Sequence, residues 1–230
     1  MELDKAIKER RTIRKFAYKD VSWLLIAEIL DAGRLAPSSG NLQNWYFIVV
    51  RNKEVKEKVL KHCDSYNSWA NKAPVLIVVC ADIDRAKRMF GSRGENLYSI
   101  QNCANATTQM MLKAHDLSLG SAWIGSFDDA ALSKVLEIEQ GLKPQAVLAI
   151  GYPAEEGKFK RADLNTMVFF DKFGEKERKG DYAMLPLSVP LKRNFDPMKE
   201  RLKTSFEGEG LGEHKAKLRK FMDSFIRKKK

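Results

Sequence analysis

Histidine and cysteine are scarce in this chain. Three of each are scattered over 230 residues, which leaves little material for metal or nucleophile chemistry. Cys63, Cys80 and Cys103 lie 17 and 23 residues apart. That is not zinc-ligand spacing, and an odd count does not close a disulfide framework. Reduced structural thiols in a cytoplasm are expected, with a catalytic cysteine as the other reading. His62, His115 and His214 are isolated along the chain and read as structural or solvent-facing. There is no GxGxxG, P-loop, HExxH or G-x-S-x-G, and no segment repeats. The longest apolar run, residues 75–81, is far too short to span a bilayer. Residues 1–11 alternate acids and bases and lack the apolar core of a secretory signal. A cytoplasmic location is therefore expected.

What is present suits one substantial core with an appendage. Hydrophobic residues make up 44% and charged residues 31%, as in a globular protein. The net charge of +11 is uneven: residues 176–230 carry 16 Lys and Arg against 8 Asp and Glu. The basicity belongs mainly to this tail, so it does not mark the globular part as a nucleic-acid binder.

Apolar spacing sets out the elements. Residues 3–11 read as a short helix and 23–35 as a longer one, with Asp20 a candidate N-cap and Pro37 its stop. Residues 45–50 read as a buried strand, 55–63 as an amphipathic helix and 65–72 as polar and irregular. A second buried strand follows at 73–80. Residues 82–94, charged and glycine-flanked, are expected to be a mobile excursion that could form part of a substrate lid. A long helix fits 95–117, with small residues on one side that would let another helix approach. Residues 119–127 form a glycine-bracketed strand and loop, Asp128 or Asp129 caps a further helix, and 145–150 is a third buried strand.

Two stretches offer recognition chemistry. In Arg10-Arg11-Thr12-Ile13-Arg14-Lys15-Phe16, four cations and a hydroxyl within six positions could cradle a phosphate; a solvated basic helix end is the alternative. In Ala36-Pro37-Ser38-Ser39-Gly40-Asn41-Leu42-Gln43-Asn44-Trp45, turn formers present two amides, Asn41 and Gln43, each both donor and acceptor. Such a loop could meet the edge of a planar heterocycle, or simply connect a helix to a strand.

These two stretches, with Gly120-Ser121-Ala122-Trp123-Ile124-Gly125 and Ile150-Gly151-Tyr152-Pro153 followed by a basic cluster, agree in type and order with one family. Over residues 1–172 the chain resembles the nitroreductase family of FMN-dependent oxidoreductases. The resemblance implies an α+β fold, a central and mostly antiparallel sheet wrapped by helices, and an intertwined homodimer with FMN at the interface. It implies that Arg10, Arg11, Thr12 and Arg14 belong to the motif holding the FMN phosphate and ring edge. Pro37, Ser38, Ser39, Asn41 and Gln43 would meet the flavin bound mainly by the partner subunit. Ile124, Gly125 and Ser126 would approach flavin N5, and Arg161 with Lys160 or Lys158 would anchor the phosphate. Asn71 or Lys72 would touch the pyrimidine side of the ring. Thr12 stands where serine is usual, and Asn44 where a proline usually follows Gln43.

The cofactor then carries the hydride chemistry, which agrees with the lack of a triad or dyad and leaves no side chain assigned as catalytic. The implied reaction passes hydride from NADH or NADPH through flavin N5 to an electron-poor acceptor (a nitroaromatic, a quinone or another flavin) by a ping-pong route. Reductive dehalogenation, or consumption of flavin to make a benzimidazole, is the alternative on the same fold. A third reading is a non-enzymatic module binding an anionic partner through its basic tail. Residues 173–230 read as a C-terminal extension: an extended arm around Pro186 and Pro190, then an amphipathic helix over 214–230. That helix is expected to dock on its own dimer, with a membrane surface or acidic partner as the lesser reading.

Overall fold

The computed structural model describes residues 2–157 and 161–175. The chain divides into two compact units, residues 1–161 and 162–230. The expected arm and amphipathic helix, and Lys158 and Lys160, lie outside the described residues.

The first unit carries helices α1 (Leu3–Glu9), α2 (Trp23–Arg34), α3 (Lys53–Lys61), α4 (Ile83–Arg93), α5 (Ser99–Asp116) and α6 (Asp129–Val135), and strands β1 (Trp45–Val50), β2 (Val75–Asp82), β3 (Gly120–Ile124) and β4 (Leu142–Gly151). The strands form one sheet in the order β1-β2-β4-β3, antiparallel at every pairing. The expected α+β architecture with an antiparallel sheet is therefore present.

The strand sequences explain the layering. Successive side chains of a strand point to opposite faces, and β2 is apolar on both, so it must be covered twice. Val75, Ile77 and Val79 join Leu148 and Ile150 of β4 against Ile26 and Ile29 of α2 and Met110 of α5. Leu76, Val78 and Cys80 join Val147 and Ala149 against Val59 of α3 and Leu132 of α6. Each fully buried Val, Leu or Ile contributes roughly 1.5–3 kcal/mol. All three cysteines are free and buried. Burial pushes the Cys63 thiol up to about 11 and those of Cys80 and Cys103 to about 12, so they remain protonated at neutral pH.

Four local expectations change. Helix α2 is capped by Ser22, whose hydroxyl accepts the N–H of Leu25, rather than by Asp20, and it ends at Arg34, three residues before Pro37. Within residues 82–94, read as an excursion, Ile83–Arg93 form helix α4, interrupted by non-helical backbone at Gly91; Asp82 caps it by accepting the N–H of Arg85 at 2.8 Å. Its charged residues are simply its exposed side, with Ala86 the buried contact. The segment Ser65–Lys72 is a 3-10 helix. A single-turn π-helix, Gly94–Tyr98, precedes α5. Among the described residues, no helix is long and apolar enough to cross a membrane.

In the second unit the described residues form the short helix α7 (Leu164–Met167) and a ring contact between Phe169 and Phe173, with centroids 4.4 Å apart.

Candidate functional site

The arginine-rich segment leaves α1 at Glu9 and is pinned across one end of the sheet. Thr12 pairs with Ser121 of β3, and Phe16 with Pro153 beyond β4. The N–H of Ile13 donates to Ser121 O at 3.0 Å, and that of Ala17 to Tyr152 O at 2.8 Å. Ile13 and Phe16 are buried, while Thr12, Arg14 and Lys15 are exposed. The segment lies this close because Gly120 lacks a side chain: a Cβ there would stand 2.8 Å from Ile13 Cβ. Gly157 makes the same allowance for Arg11 from the other side. Glu155 Oε1 accepts the N–H groups of Arg14 at 2.7 Å and Lys15 at 3.0 Å. The Arg14 N–H above all, with that of Lys15, holds this carboxyl below its ordinary value.

The arginines then diverge. Arg11 donates through Nη1 to Lys8 O at 2.6 Å and Arg10 O at 2.9 Å, capping α1. Arg10 is half-buried, and its Nη1 is buried with no hydrogen-bond partner. Burial, then the like charges of Arg161 and Arg11, lower its pKa. It lines a cleft of about 600 Å³ with Arg11, His115, Ser121 and Gly157. His115, in the last turn of α5, also buries Nε2 without a partner, and burial lowers its pKa. Arg14 places its guanidinium 5.8 Å from the ring centroid of Trp69, which itself meets Phe16 at 6.4 Å.

Trp69 brings in the 3-10 segment Ser65–Lys72. Its three-residue period buries Asn67, Ala70 and then Ala73. Asn67 is 5% exposed, and its Nδ2 has no partner. Asn71 and Lys72 are exposed instead and line a neighbouring cleft with Phe16. Sequence reasoning chose Asn71 and Lys72 from this segment and passed over Asn67; a period of three, had it been sought, would have singled Asn67 out. Beside it, Asp64 binds the segment after β3. Its N–H donates to Ser126 O at 3.2 Å, and its carboxylate accepts from Ser126 Oγ. Ile124 is buried in the core, whereas Gly125 is exposed at the surface.

The loop after α2 lies at the other end of the sheet. Ser121 is level with Ile150 and Val75, whereas Trp45 is level with Ala81. Six residues of β2 separate the two levels, roughly 20 Å at strand rise. Within one chain, therefore, the Arg10 segment and the 37–43 loop do not meet. The loop is held by a buried polar relay. Asn102 Oδ1 accepts from Ser39 N at 2.9 Å and from Ser39 Oγ at 3.2 Å, and Asn102 Nδ2 donates to Asn44 Oδ1 at 2.8 Å. Asn44 Nδ2 donates to Asp82 O and Ser99 Oγ, and Ser99 Oγ donates to Gly94 O. Asn44 and Ser99 are 0% exposed and Asn102 is 1% exposed. Pro37 O accepts from Asn105 Nδ2. Gly40, Asn41 and Gln43 all have positive φ, and Gln43 Nε2 donates to Asn41 Oδ1 at 2.9 Å. Both loop amides are exposed side by side. Asn44 draws notice in the sequence only as standing where a proline is usual, and Asn102, inside α5, carries no local mark of its burial.

The residues at the Ser121 end fit FMN. Buried polar atoms without partners are costly. Arg10 offers such an atom as a cationic donor suited to phosphate, and Asn67 offers one as an amide donor suited to a ring carbonyl.

Comparison with known proteins identifies the family. The family model described as "Nitroreductase family" matches residues 7–65 and 61–152. A Methanothermobacter thermautotrophicus protein with the provisional name NADH dehydrogenase/NAD(P)H nitroreductase is 36% identical over 159 residues, covering 67% of this chain and 79% of its own. The FMN reductase [NAD(P)H] of Bacillus subtilis is 29% identical over 167 residues, 67% of each chain. Among solved structures, a provisionally named nitroreductase of Desulfovibrio desulfuricans in complex with FMN superposes with a TM-score of 0.67. It is 29% identical, and the match covers 75% of this chain and 98% of that one.

Proposed function

The chain belongs to the nitroreductase family, and from that premise we propose how its residues serve as an FMN-dependent NAD(P)H oxidoreductase. Arg10, with Thr12 and Arg161, holds the FMN phosphate, with Lys160 as a further anchor. Arg11 supports the cradle by capping α1. Arg14, held over Trp69, and the Asn67 amide serve the ring edge, with Asn71 and Lys72 at its rim. Ile124, Gly125 and Ser126 present backbone near N5, and the small Gly125 lets that backbone come close. When bound, FMN supplies the hydride chemistry, from NADH or NADPH to an electron-poor acceptor such as a nitroaromatic, quinone or flavin, by a ping-pong route.

Pro37, Ser38, Ser39, Asn41 and Gln43 complete the site of a second copy. The distance along β2 supports this, because the loop does not reach the cradle of its own chain. Leu24 of α2 and Ile100 of α5 are 71% and 52% exposed, apolar surface of the kind a partner covers. The observation that carries the reading is the buried, unpartnered Arg10 Nη1 beside an exposed Thr12. The test is to purify the protein, record its flavin spectrum and titrate FMN into the apoprotein. Arg14→Ala is expected to weaken FMN binding by about 1.5–3 kcal/mol. A colourless protein that takes up no FMN on reconstitution would end this reading.

A further inference from the structure

A second cleft, of about 630 Å³, opens beside the flavin cradle. Its floor is Phe16, Ala73 and Pro74, and its walls carry Lys19, Arg51, Lys53, Lys56 and Lys72. Asp20 is the single carboxylate among its lining residues. None of these five cations is in an ion pair among the described residues, although Lys5, Lys8, Arg34, Lys87, Lys113 and Lys143 all are. Two of the five are held in place. Lys56 donates to Ala73 O at 2.7 Å, and the Lys19 ammonium sits 4.1 Å from the Tyr152 ring centroid. Burial lowers the Lys56 pKa despite the pull of Asp20 and Glu57, so this charge is partly stripped of water, with no carboxylate in ion-pair contact among the described residues.

Five like charges gathered around one cleft repel each other, and an anionic ligand relieves that repulsion. The cleft also shares Asn71 and Lys72 with the rim of the proposed flavin site. We infer that it takes the phosphates of the nicotinamide dinucleotide, and that it makes NADPH the preferred donor over NADH. The 2′-phosphate of NADPH adds about −1.5 to −2 charges at neutral pH, which a cleft of this charge favours. This inference rests on the flavin reading above.

The test uses the flavin-loaded full-length protein. For the wild type, kcat/KM with NADPH should exceed that with NADH by about tenfold or more at low salt, and the ratio should shrink as salt rises. Calorimetry should detect binding of 2′,5′-ADP. In the double variant Arg51→Gln/Lys53→Gln, KM for NADPH should rise about tenfold with kcat within about twofold, and 2′,5′-ADP binding should be lost. Reduction by N-benzyl-1,4-dihydronicotinamide, a hydride donor without phosphates, should be unchanged. Equal use of NADH and NADPH by the wild type would overturn the inference. So would an unchanged NADPH KM in the variant, or an equal loss with the phosphate-free donor. Failure to retain FMN would instead remove the flavin reading, and 2′,5′-ADP binding reports on the cleft independently of it.

Discussion

At the Trp45 end of the sheet, the side-chain amides of Asn44 and Asn102 find protein partners for both their oxygen and nitrogen atoms. At the Ser121 end, Arg10 Nη1 and His115 Nε2 are buried with none. The same sheet carries both, so the difference lies in what each end is for. A satisfied buried network rigidifies what it holds, and here it holds a loop with positive φ at Gly40, Asn41 and Gln43. The arginine end is pinned by backbone pairing, but these polar atoms are left unsatisfied. On the proposed reading, one end is a preformed wall and the other a cradle completed by its ligand.

Substitutions separate the two ends. The largest effect is expected from Asn102→Ala, which strands Ser39 N and Asn44 Oδ1 in the interior. It should cost the apoprotein about 3 kcal/mol in urea unfolding, and a wall that was only loosely held would lose far less. Arg10→Ala should do the reverse. It should weaken FMN binding by about 2 kcal/mol while leaving apoprotein stability unchanged or higher, because a desolvated cation is removed. Gly120→Ala, by crowding Ile13, should shift the arginine segment and cost about 1–2 kcal/mol in both FMN affinity and stability.

The smallest effects are electrostatic. His115 and Glu155 both have depressed pKa values in the folded protein. Their contributions are therefore full above their ordinary values of 6.5 and 4.5 and are lost as pH falls through the folded ones. In urea titrations His115→Gln should flatten the first part of the acid loss, and Glu155→Gln the later part. If neither substitution changes the acid limb, these two groups do not carry the acid sensitivity of this end of the sheet.

The core was legible in the sequence because β2 and β4 are apolar on both faces, and such runs have few other uses. The arginine segment and the 37–43 loop were legible as recognition chemistry, since cations and amides cluster there in sequence. What escaped was built from long-range or short-period relations. Asn44 meets Asn102 across 58 positions, and nothing local marks either as buried. Asn67 is buried by a three-residue period inside a segment too polar to read as ordered. Helix α4 was hidden by Gly91 and Gly94, which read as breakers, and Gly91 is one, with non-helical backbone at φ 61°. Yet Gly94 is there because Ala86 O leaves no room for a side chain, a packing reason and not a flexible one.

The central claim is that cradle and wall belong to different chains of one site. It is tested most directly by subunit complementation. Homodimers of Arg10→Ala and of the double variant Asn41→Ala/Gln43→Ala should each bind FMN weakly. When they are mixed in equal amounts, unfolded and refolded together, half the dimers are mixed, and each mixed dimer has one cradle and one wall both intact. Titration should then recover tight FMN binding at roughly a quarter of all sites. Recovery of none would mean that the loop serves the cradle of its own chain, and the account of a shared site would be wrong.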